Sequence, residues 1–230
     1  MSTKTIVFIT GTNGGIGYET VLVCAKTSPD FHILLGARDV AKGQKALKAI
    51  HVELAMTGRP VSSIEVVQID ITDIKSIEAA KNYIEQAHGK LDELINNLTE
   101  ALEPLLKKSS KPYLIYISSG QGSITQRLDP NGPYVQLRGE PYRMSKAAIK
   151  MLSACHRFSF AEWGCKVLAF DPGFCVTNLS GEEGRKRRVK MGARTPEEPA
   201  NTLVDIVLGK WDEAFTKSGL LDVDGNIVPW

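Results

Sequence analysis

Tyr142 and Lys146 stand four residues apart in Pro141-Tyr142-Arg143-Met144-Ser145-Lys146, ahead of the apolar-periodic Ala147, Ala148, Met151, Leu152 and Cys155. On a helix that spacing puts both side chains on one face, close enough to meet. An ammonium beside a phenol favours the phenolate and lowers the tyrosine pKa from its reference of ~10 toward neutrality. Such a tyrosine is a general acid for carbonyl reduction, or a base for alcohol oxidation. A lone Tyr-x-x-x-Lys also occurs on ordinary solvated helix faces. Ser118-Ser119-Gly120, closing the apolar run Tyr113-Leu114-Ile115-Tyr116-Ile117 upstream, makes the combination far more specific.

A second cluster lies at the other end of the chain. The apolar Thr5-Ile6-Val7-Phe8-Ile9 runs straight into Thr10-Gly11-Thr12-Asn13-Gly14-Gly15-Ile16-Gly17. A buried strand, a glycine-rich turn and a helix from Ile16 make a pocket for a diphosphate. The turn lets backbone approach the ligand, and the helix start offers unpaired N–H groups with a partial positive charge. A tight turn with no ligand is the alternative, but opening the first βα unit is where dinucleotide folds bind the pyrophosphate. The second strand ends Gly36-Ala37-Arg38-Asp39. An acid there would bind the ribose 2′-hydroxyl of NAD, whereas an arginine can hold the 2′-phosphate of NADP. Arg38 comes first and favours NADP by charge-assisted pairing. Asp39 keeps NAD open, and a surface arginine with no ligand is a third reading.

The elements that must position these groups alternate from end to end, as in a parallel sheet covered on both faces. Strands are expected at 5–10, 31–36, 63–69, 93–96, 113–118, 166–171 and 219–223. Helices are expected at 16–27, 40–55, 73–88, 98–108, 142–163 and 196–208. Asp73 is a credible N-cap for the third helix. Thr195 followed by Pro196-Glu197-Glu198 gives a cap, an early proline and acid at the positive end of the last. The expectation is a single α/β domain over residues 1–230, a Rossmann-type doubly wound parallel sheet.

Composition fits an ordinary globular protein, with 230 residues, 43% hydrophobic and 23% charged. Lys plus Arg number 28 against 26 Asp plus Glu, and the net +2 points to neither nucleic acid nor membrane. No apolar run approaches the ~20 residues of a membrane span. The N-terminus has no n-region or cleavage site, and its apolar stretch is needed as the first strand. Cys24, Cys155, Cys165 and Cys175 show no paired spacing and read as buried, reduced thiols of a cytoplasmic protein. His32, His51, His88 and His156 are scattered, so no metal site is expected.

Over nearly its whole length the chain resembles the short-chain dehydrogenases/reductases, and more narrowly their carbonyl-reductase-like members. The blocks that carry the resemblance are Thr10-Gly-x-x-x-Gly-x-Gly17, Gly36-Ala37-Arg38-Asp39, Asp70 in Ile69-Asp70-Ile71-Thr72-Asp73, and Ile95-Asn96-Asn97. Further along come Ile117-Ser118-Ser119, Tyr142-x-x-x-Lys146 and Pro172-Gly173-Phe174-Cys175-Val176-Thr177. The resemblance implies that Ser119 hydrogen-bonds the substrate oxygen and that Tyr142 transfers the proton. Lys146 would lower the Tyr142 pKa and bind the nicotinamide ribose, both side chains bordering the cofactor. Gly11, Thr12, Asn13, Gly15, Ile16 and Gly17 would cradle its diphosphate, with Arg38 at the 2′-phosphate. Asp70 and Ile71 would flank the adenine, Asn97 the adenine-side ribose, and Pro172, Gly173, Cys175 and Thr177 the carboxamide. NADPH/NADP would supply or take the hydride from a small carbonyl or alcohol.

The chain departs from that family in two places. In relatives, Asn96-Asn97 continues into a loop and a long helix before the fifth strand. Here Leu98-Thr99-Glu100-Ala101-Leu102 follows at once, and the asparagine that relays protons to the lysine is missing. Returning along a strand of ~17–20 Å needs about 12 helical residues at 1.5 Å each. Residues 98–112 leave about three for both turns, a shortened crossover near the lower limit. Pro104 would fall inside its helix, at a cost of ~3 kcal/mol or more. An omitted segment, a deletion or splice form, and a natural variant all fit this gap. Conversely, 22 residues separate Ser119 from Tyr142, a long loop with turn chemistry at Asp129-Pro130-Asn131-Gly132-Pro133. It could shape the pocket or be an inert excursion. The basic Arg185-Lys186-Arg187-Arg188 falls where the family carries a mobile lid and reads as a solvated helix rather than a nucleic-acid patch. The leading expectation is an NADP(H)-dependent reductase of a ketone or aldehyde. A catalytically impaired nucleotide-binding scaffold of the same fold is the alternative, and a lyase or isomerase using the same tyrosine is a third. A homodimer on the helices after strands four and five is one expectation, put in question by the shortening of the first.

Overall fold

An unbroken apolar run along a strand puts apolar side chains on both faces, and the helices between the strands cover them. The computed structural model describes residues 4–95, 99–132 and 134–230. Strands β1 (Thr5–Thr10), β2 (Phe31–Ala37), β3 (Ser63–Gln68), β4 (Glu93–Ile95), β5 (Tyr113–Ile117), β6 (Lys166–Asp171) and β7 (Leu220–Asp222) form one sheet. Its order is β3-β2-β1-β4-β5-β6-β7 and every pairing is parallel, a doubly wound Rossmann-type arrangement. The helices are α1 (Gly15–Thr27), α2 (Val40–Ala55), α3 (Ile74–His88), α4 (Glu103–Leu106), α5 (Ile124–Leu128), α6 (Glu140–Phe160), α7 (Gly181–Lys190), α8 (Glu197–Val207) and α9 (Asp212–Lys217).

The period-two alternation of β1 splits the core in two. Val7 and Ile9 pack with Val21, Ile50 and Leu203 on one face of the sheet. Ile6 and Phe8 pack with Ile84, Leu105 and Phe160 on the other. Asp73 caps α3 as expected, its carboxylate accepting from the Lys75 N–H at 3.0 Å. Asp39 does the same for α2, accepting from Lys42 N–H at 3.1 Å. The start of α8 differs from expectation. Pro196 occupies the N-cap with no side-chain cap, and the Thr195 N–H instead donates to Glu198 Oε1 at 3.4 Å. Cys24, Cys165 and Cys175 are buried, but Cys155 lies on the outer face of α6 and is exposed. Among the described residues no helix is long and apolar enough to cross a membrane.

The crossover between β4 and β5 departs most from the expected helix at 98–108. A turn at 99–102, in which Leu102 and Glu103 N–H groups donate to the Thr99 carbonyl at 3.0 and 2.9 Å, leads into α4, four residues long. Pro104 stands in the first turn of α4, where its missing N–H would have had no intrahelical partner. The expected interior-proline penalty is therefore not incurred. Leu102, Leu105 and Leu106 are all fully buried in the second core, so the short segment still covers its side of the sheet. Asn97 and the Asn97–Leu98 junction lie outside the described residues.

Truncating Leu105 to alanine should cost ~2–5 kcal/mol, the range for a leucine removed from a close-packed core. Urea unfolding of Leu105→Ala against the parent chain reads this as a lower midpoint at unchanged slope. A loss below ~0.5 kcal/mol, the level of surface substitutions, would show that the crossover does not seal the core.

Candidate active site

In a parallel sheet the strand ends that deliver side chains to a common site are the carboxyl ends, and the glycine-rich turn leaves β1 there. Gly11 (φ 69°) and Gly15 (φ 62°) adopt left-handed backbone that other residues resist. A Cβ on Gly17 would sit 2.6 Å from the Gly11 carbonyl oxygen, so α1 packs on the turn at a distance glycine alone allows. No side chain caps α1. Its first-turn N–H groups are left without side-chain partners where Gly14, Gly15, Ile16 and Gly17 line a cavity of about 530 Å³. Gly11 and Asn13 line it too. Thr12 does not: it is fully buried, and its hydroxyl donates to the Gly36 carbonyl at 2.9 Å, tying the turn to β2.

Tyr142 and Lys146 form the facing wall. Beyond β5, Ser119 opens a 3-10 turn at Gly120–Gly122, its Oγ accepting from the Gln121 N–H at 3.3 Å. A Cβ on Gly122 would meet the Lys146 carbonyl carbon at 2.6 Å, so this turn lies directly on the α6 backbone. Ser118 Oγ adds a hydrogen bond to the Lys146 carbonyl at 3.2 Å. Pinned in this way, α6 brings Tyr142 near enough to Ser119 for the serine hydroxyl to act on the phenol, favouring its ionised form. The Lys146 Nζ donates to the Ile117 carbonyl at 2.9 Å and lies 5.8 Å from the Tyr142 ring centroid.

The electrostatics depart from the simple pair expected from the spacing. Burial pushes the Tyr142 phenol above its ordinary value, and the Asp171 carboxylate adds to that rise. The Ser119 hydrogen bond and the Arg188 charge oppose it without prevailing. Burial also pushes the Lys146 ammonium down, against the pull of Asp171. The lysine charge is held by a carbonyl and half withdrawn from water, so desolvation of the phenol dominates in the ligand-free chain.

Pro172 and Thr177 line the third side of the cavity, together with Asn178 and Leu179, which the sequence had not marked. Gly173 and Cys175 support this wall rather than face the cavity. The Gly173 N–H donates to Asp171 Oδ1 at 3.0 Å. The buried Cys175 thiol donates to the Pro172 carbonyl at 3.0 Å, and burial pushes its pKa up to about 11. The basic run lies on α7, where Lys186 pairs with Glu182 and Glu183 at 3.2 and 2.9 Å. Arg188 docks the helix, donating to the Cys175 carbonyl at 3.3 Å with its guanidinium 5.3 Å from the Phe174 ring centroid. The long loop before α6 is fastened by Arg143, which donates to the carbonyls of Gln121, Tyr134 and Leu137 at 3.2, 2.7 and 3.0 Å.

Arg38, Asp70 and Ile71 stand just past the carboxyl ends of β2 and β3, outside the cavity lining. Asp39 is committed to capping α2, while Arg38 is exposed and in no ion pair among the described residues. Asp70 accepts from the Thr72 hydroxyl and N–H at 2.7 and 3.0 Å, which holds its carboxyl below the usual range. Asn97 is outside the described residues.

The sequence profile of the short chain dehydrogenase family matches residues 5–112. The chain is 30% identical to the short-chain dehydrogenase anuI of Penicillium roqueforti, over 88% of this chain and 94% of that one. It is 36% identical to carbonyl reductase [NADPH] 1 of Sus scrofa over 45% of this chain and 33% of that protein. Among solved structures it superposes on the NADPH-bound carbonyl reductase from chicken fatty liver with a TM-score of 0.73, at 25% identity and full coverage of both chains.

In the cofactor-free protein the Tyr142 phenol should ionise at a pH above the ~10 of a free tyrosine. The difference between ultraviolet titrations of the parent and of Tyr142→Phe isolates it. An inflection near neutrality in that difference would show that Lys146 outweighs burial.

Proposed function

The chain belongs to the short-chain dehydrogenase family, and on that premise we propose that it is an NADP(H)-dependent oxidoreductase of a small ketone or aldehyde, or of the corresponding alcohol. The observation that carries this is that Tyr142 and Lys146 line one cavity with the glycine-rich turn, while Ser119, next to the lining residue Ser118, acts on the Tyr142 phenol. The turn fits a dinucleotide: left-handed glycines, an uncapped α1 and a roomy cradle leave backbone N–H groups for a diphosphate. Gly11, Asn13, Gly15, Ile16 and Gly17 would hold that diphosphate, and Pro172 and Thr177 would border the nicotinamide end. Thr12, Gly173 and Cys175 act behind this lining, as the supports of the two walls. When bound, the nicotinamide supplies or accepts the hydride.

The protein's own groups do the acid–base work. A phenol kept protonated by burial can release its proton to a carbonyl oxygen as that oxygen gains charge. The Ser119 hydroxyl, which acts on the Tyr142 phenol, would bond the same oxygen and fix its orientation. Lys146 then stabilises the phenolate that is left. Preference for NADP(H) follows from Arg38, whose competitor Asp39 is engaged as a helix cap. The carbonyl reductase from chicken fatty liver is itself NADPH-bound, which supports the same cofactor here. Asp70 and Ile71 would flank the adenine. A nucleotide-binding scaffold without turnover is the second reading, favoured by the four-residue α4 where relatives carry a long helix.

NADPH oxidation with a panel of aliphatic and aromatic carbonyls separates the two readings, since a scaffold binds the nucleotide and consumes none. In the enzyme, Tyr142→Phe should lower kcat by about 10²–10⁴, the worth of one positioned general acid, with NADPH affinity little changed. Near-normal turnover by Tyr142→Phe would rule the mechanism out.

Arg38→Ala should weaken NADPH binding about tenfold, or 1.4 kcal/mol, and leave NADH binding unchanged. Equal affinities for the two nucleotides in the parent chain would remove the NADP assignment.

A further inference from the structure

Three residues far apart in sequence meet on the sheet face covered by α3, at the edge strand β3. Glu65 Oε1 lies 3.1 Å from His32 Nε2 on β2 and 2.8 Å from His88 Nε2 at the last residue of α3. All three side chains are partly accessible, at 19%, 30% and 11% exposure for His32, Glu65 and His88, so the cluster opens to solvent. Two of the four histidines that look scattered along the chain, His32 and His88, are brought together by strand pairing and helix packing.

We propose that His32, Glu65 and His88 form a binding site for a zinc-class divalent cation, distinct from the candidate active site. Two imidazoles and one carboxylate are a recognised zinc donor set that leaves a fourth position for water. The three donor atoms already lie within 4.8 Å of one another. A tetrahedral ion with bonds of ~2.0–2.2 Å needs edges of about 3.3–3.6 Å between donors, so the two edges from Glu65 must lengthen by about half an ångström while the edge between the histidines, now no more than 4.8 Å, comes to the same range. Outer partners hold the donors as metal ligands are usually held. The Tyr83 hydroxyl donates to Glu65 Oε2 at 2.8 Å, leaving Oε1 for the ion. His32 Nδ1 lies 2.6 Å from Ser63 Oγ, which also accepts from the Lys4 ammonium at 3.2 Å. If Nδ1 carries the proton toward Ser63, Nε2 turns a lone pair toward the Glu65 oxygen, an arrangement that a cation between them stabilises. A bound ion would fasten the edge strand to α3. Imidazole donors favour zinc over magnesium, which takes oxygen ligands.

The test is isothermal titration of the chelator-treated full chain with Zn²⁺, and with Mg²⁺ in parallel. One equivalent of Zn²⁺ should bind, and His88→Ala and Glu65→Gln should each weaken it at least tenfold. Tyr83→Phe, which keeps the ring and its packing, should weaken it by about 10–100-fold as loss of an outer partner does. Unfolding temperature should rise with Zn²⁺ in the parent chain and not in His88→Ala. Failure of the parent chain to bind Zn²⁺, binding unchanged in the variants, or Mg²⁺ binding as tight as Zn²⁺ would each overturn the proposal. None of these measurements depends on carbonyl turnover.

Discussion

The Asp171 carboxylate holds together the two turns on which the candidate site is built. It ends β6, is buried, and accepts from the Gly120 N–H at 2.6 Å and the Gly173 N–H at 3.0 Å. One turn follows β5 and carries Ser119; the other follows β6 and leads to Pro172 and Thr177. A Cβ on Gly120 would lie 2.8 Å from Asp171 Oδ2, so the approach leaves no room for a side chain. Burial raises the Asp171 pKa and these hydrogen bonds, with the charge of Lys150, lower it. The same carboxylate acts on the phenol and the ammonium in opposite senses. It raises the pKa of both Tyr142 and Lys146, which disfavours phenolate and favours the cation. Replacing this buried anion would therefore disturb geometry and charge together, because an unpaired backbone N–H in a dry turn is costly.

The candidate site is assembled by close backbone approaches. Gly17 lets α1 sit on the first turn, and Gly122 lets the turn after β5 sit on α6. Neither glycine has a positive φ; each is needed for space rather than conformation. The left-handed glycines, Gly11 and Gly15, do the other job of reversing the chain so that α1 points its N-terminus at the cavity.

The shortened crossover shows how a parallel fold tolerates a loss on one face. Three leucines within five residues, Leu102, Leu105 and Leu106, fill the space that a longer helix would cover. Pro104 helps by starting the helix rather than interrupting it. Across the same core, the Tyr116 hydroxyl joins the Thr99 hydroxyl to His156 Nδ1, the latter at 2.5 Å. His156 in turn stacks on Phe160, with ring centroids 4.6 Å apart, which ties this polar network to the apolar core.

The sequence by itself determined the seven strands in their chain order, the glycine turn and the shared helix face of Tyr142 and Lys146, because each rests on local periodicity or short spacing. Apolar runs and the Asp73 cap placed the strands and the long helices to within a few residues, and four-residue spacing put Tyr142 beside Lys146, whereas the helix expected at 98–108 shrank to α4 and the short α5 and α9 were not foreseen. What only the tertiary structure decided depends on groups distant in the chain. Spacing could not tell that Lys146 would bond the Ile117 carbonyl, or that burial would raise the Tyr142 pKa. Nor could it separate Ile16 and Thr177, which face the cavity, from Thr12 and Cys175, which stand behind it. Asn178 and Leu179 had no sequence signal, whereas Asp171, directly before Pro172-Gly173, could have been suspected as a strand-end acid. The meeting of His32, Glu65 and His88 was hidden for the same reason: desolvation and strand pairing act through space, and a linear pattern carries neither.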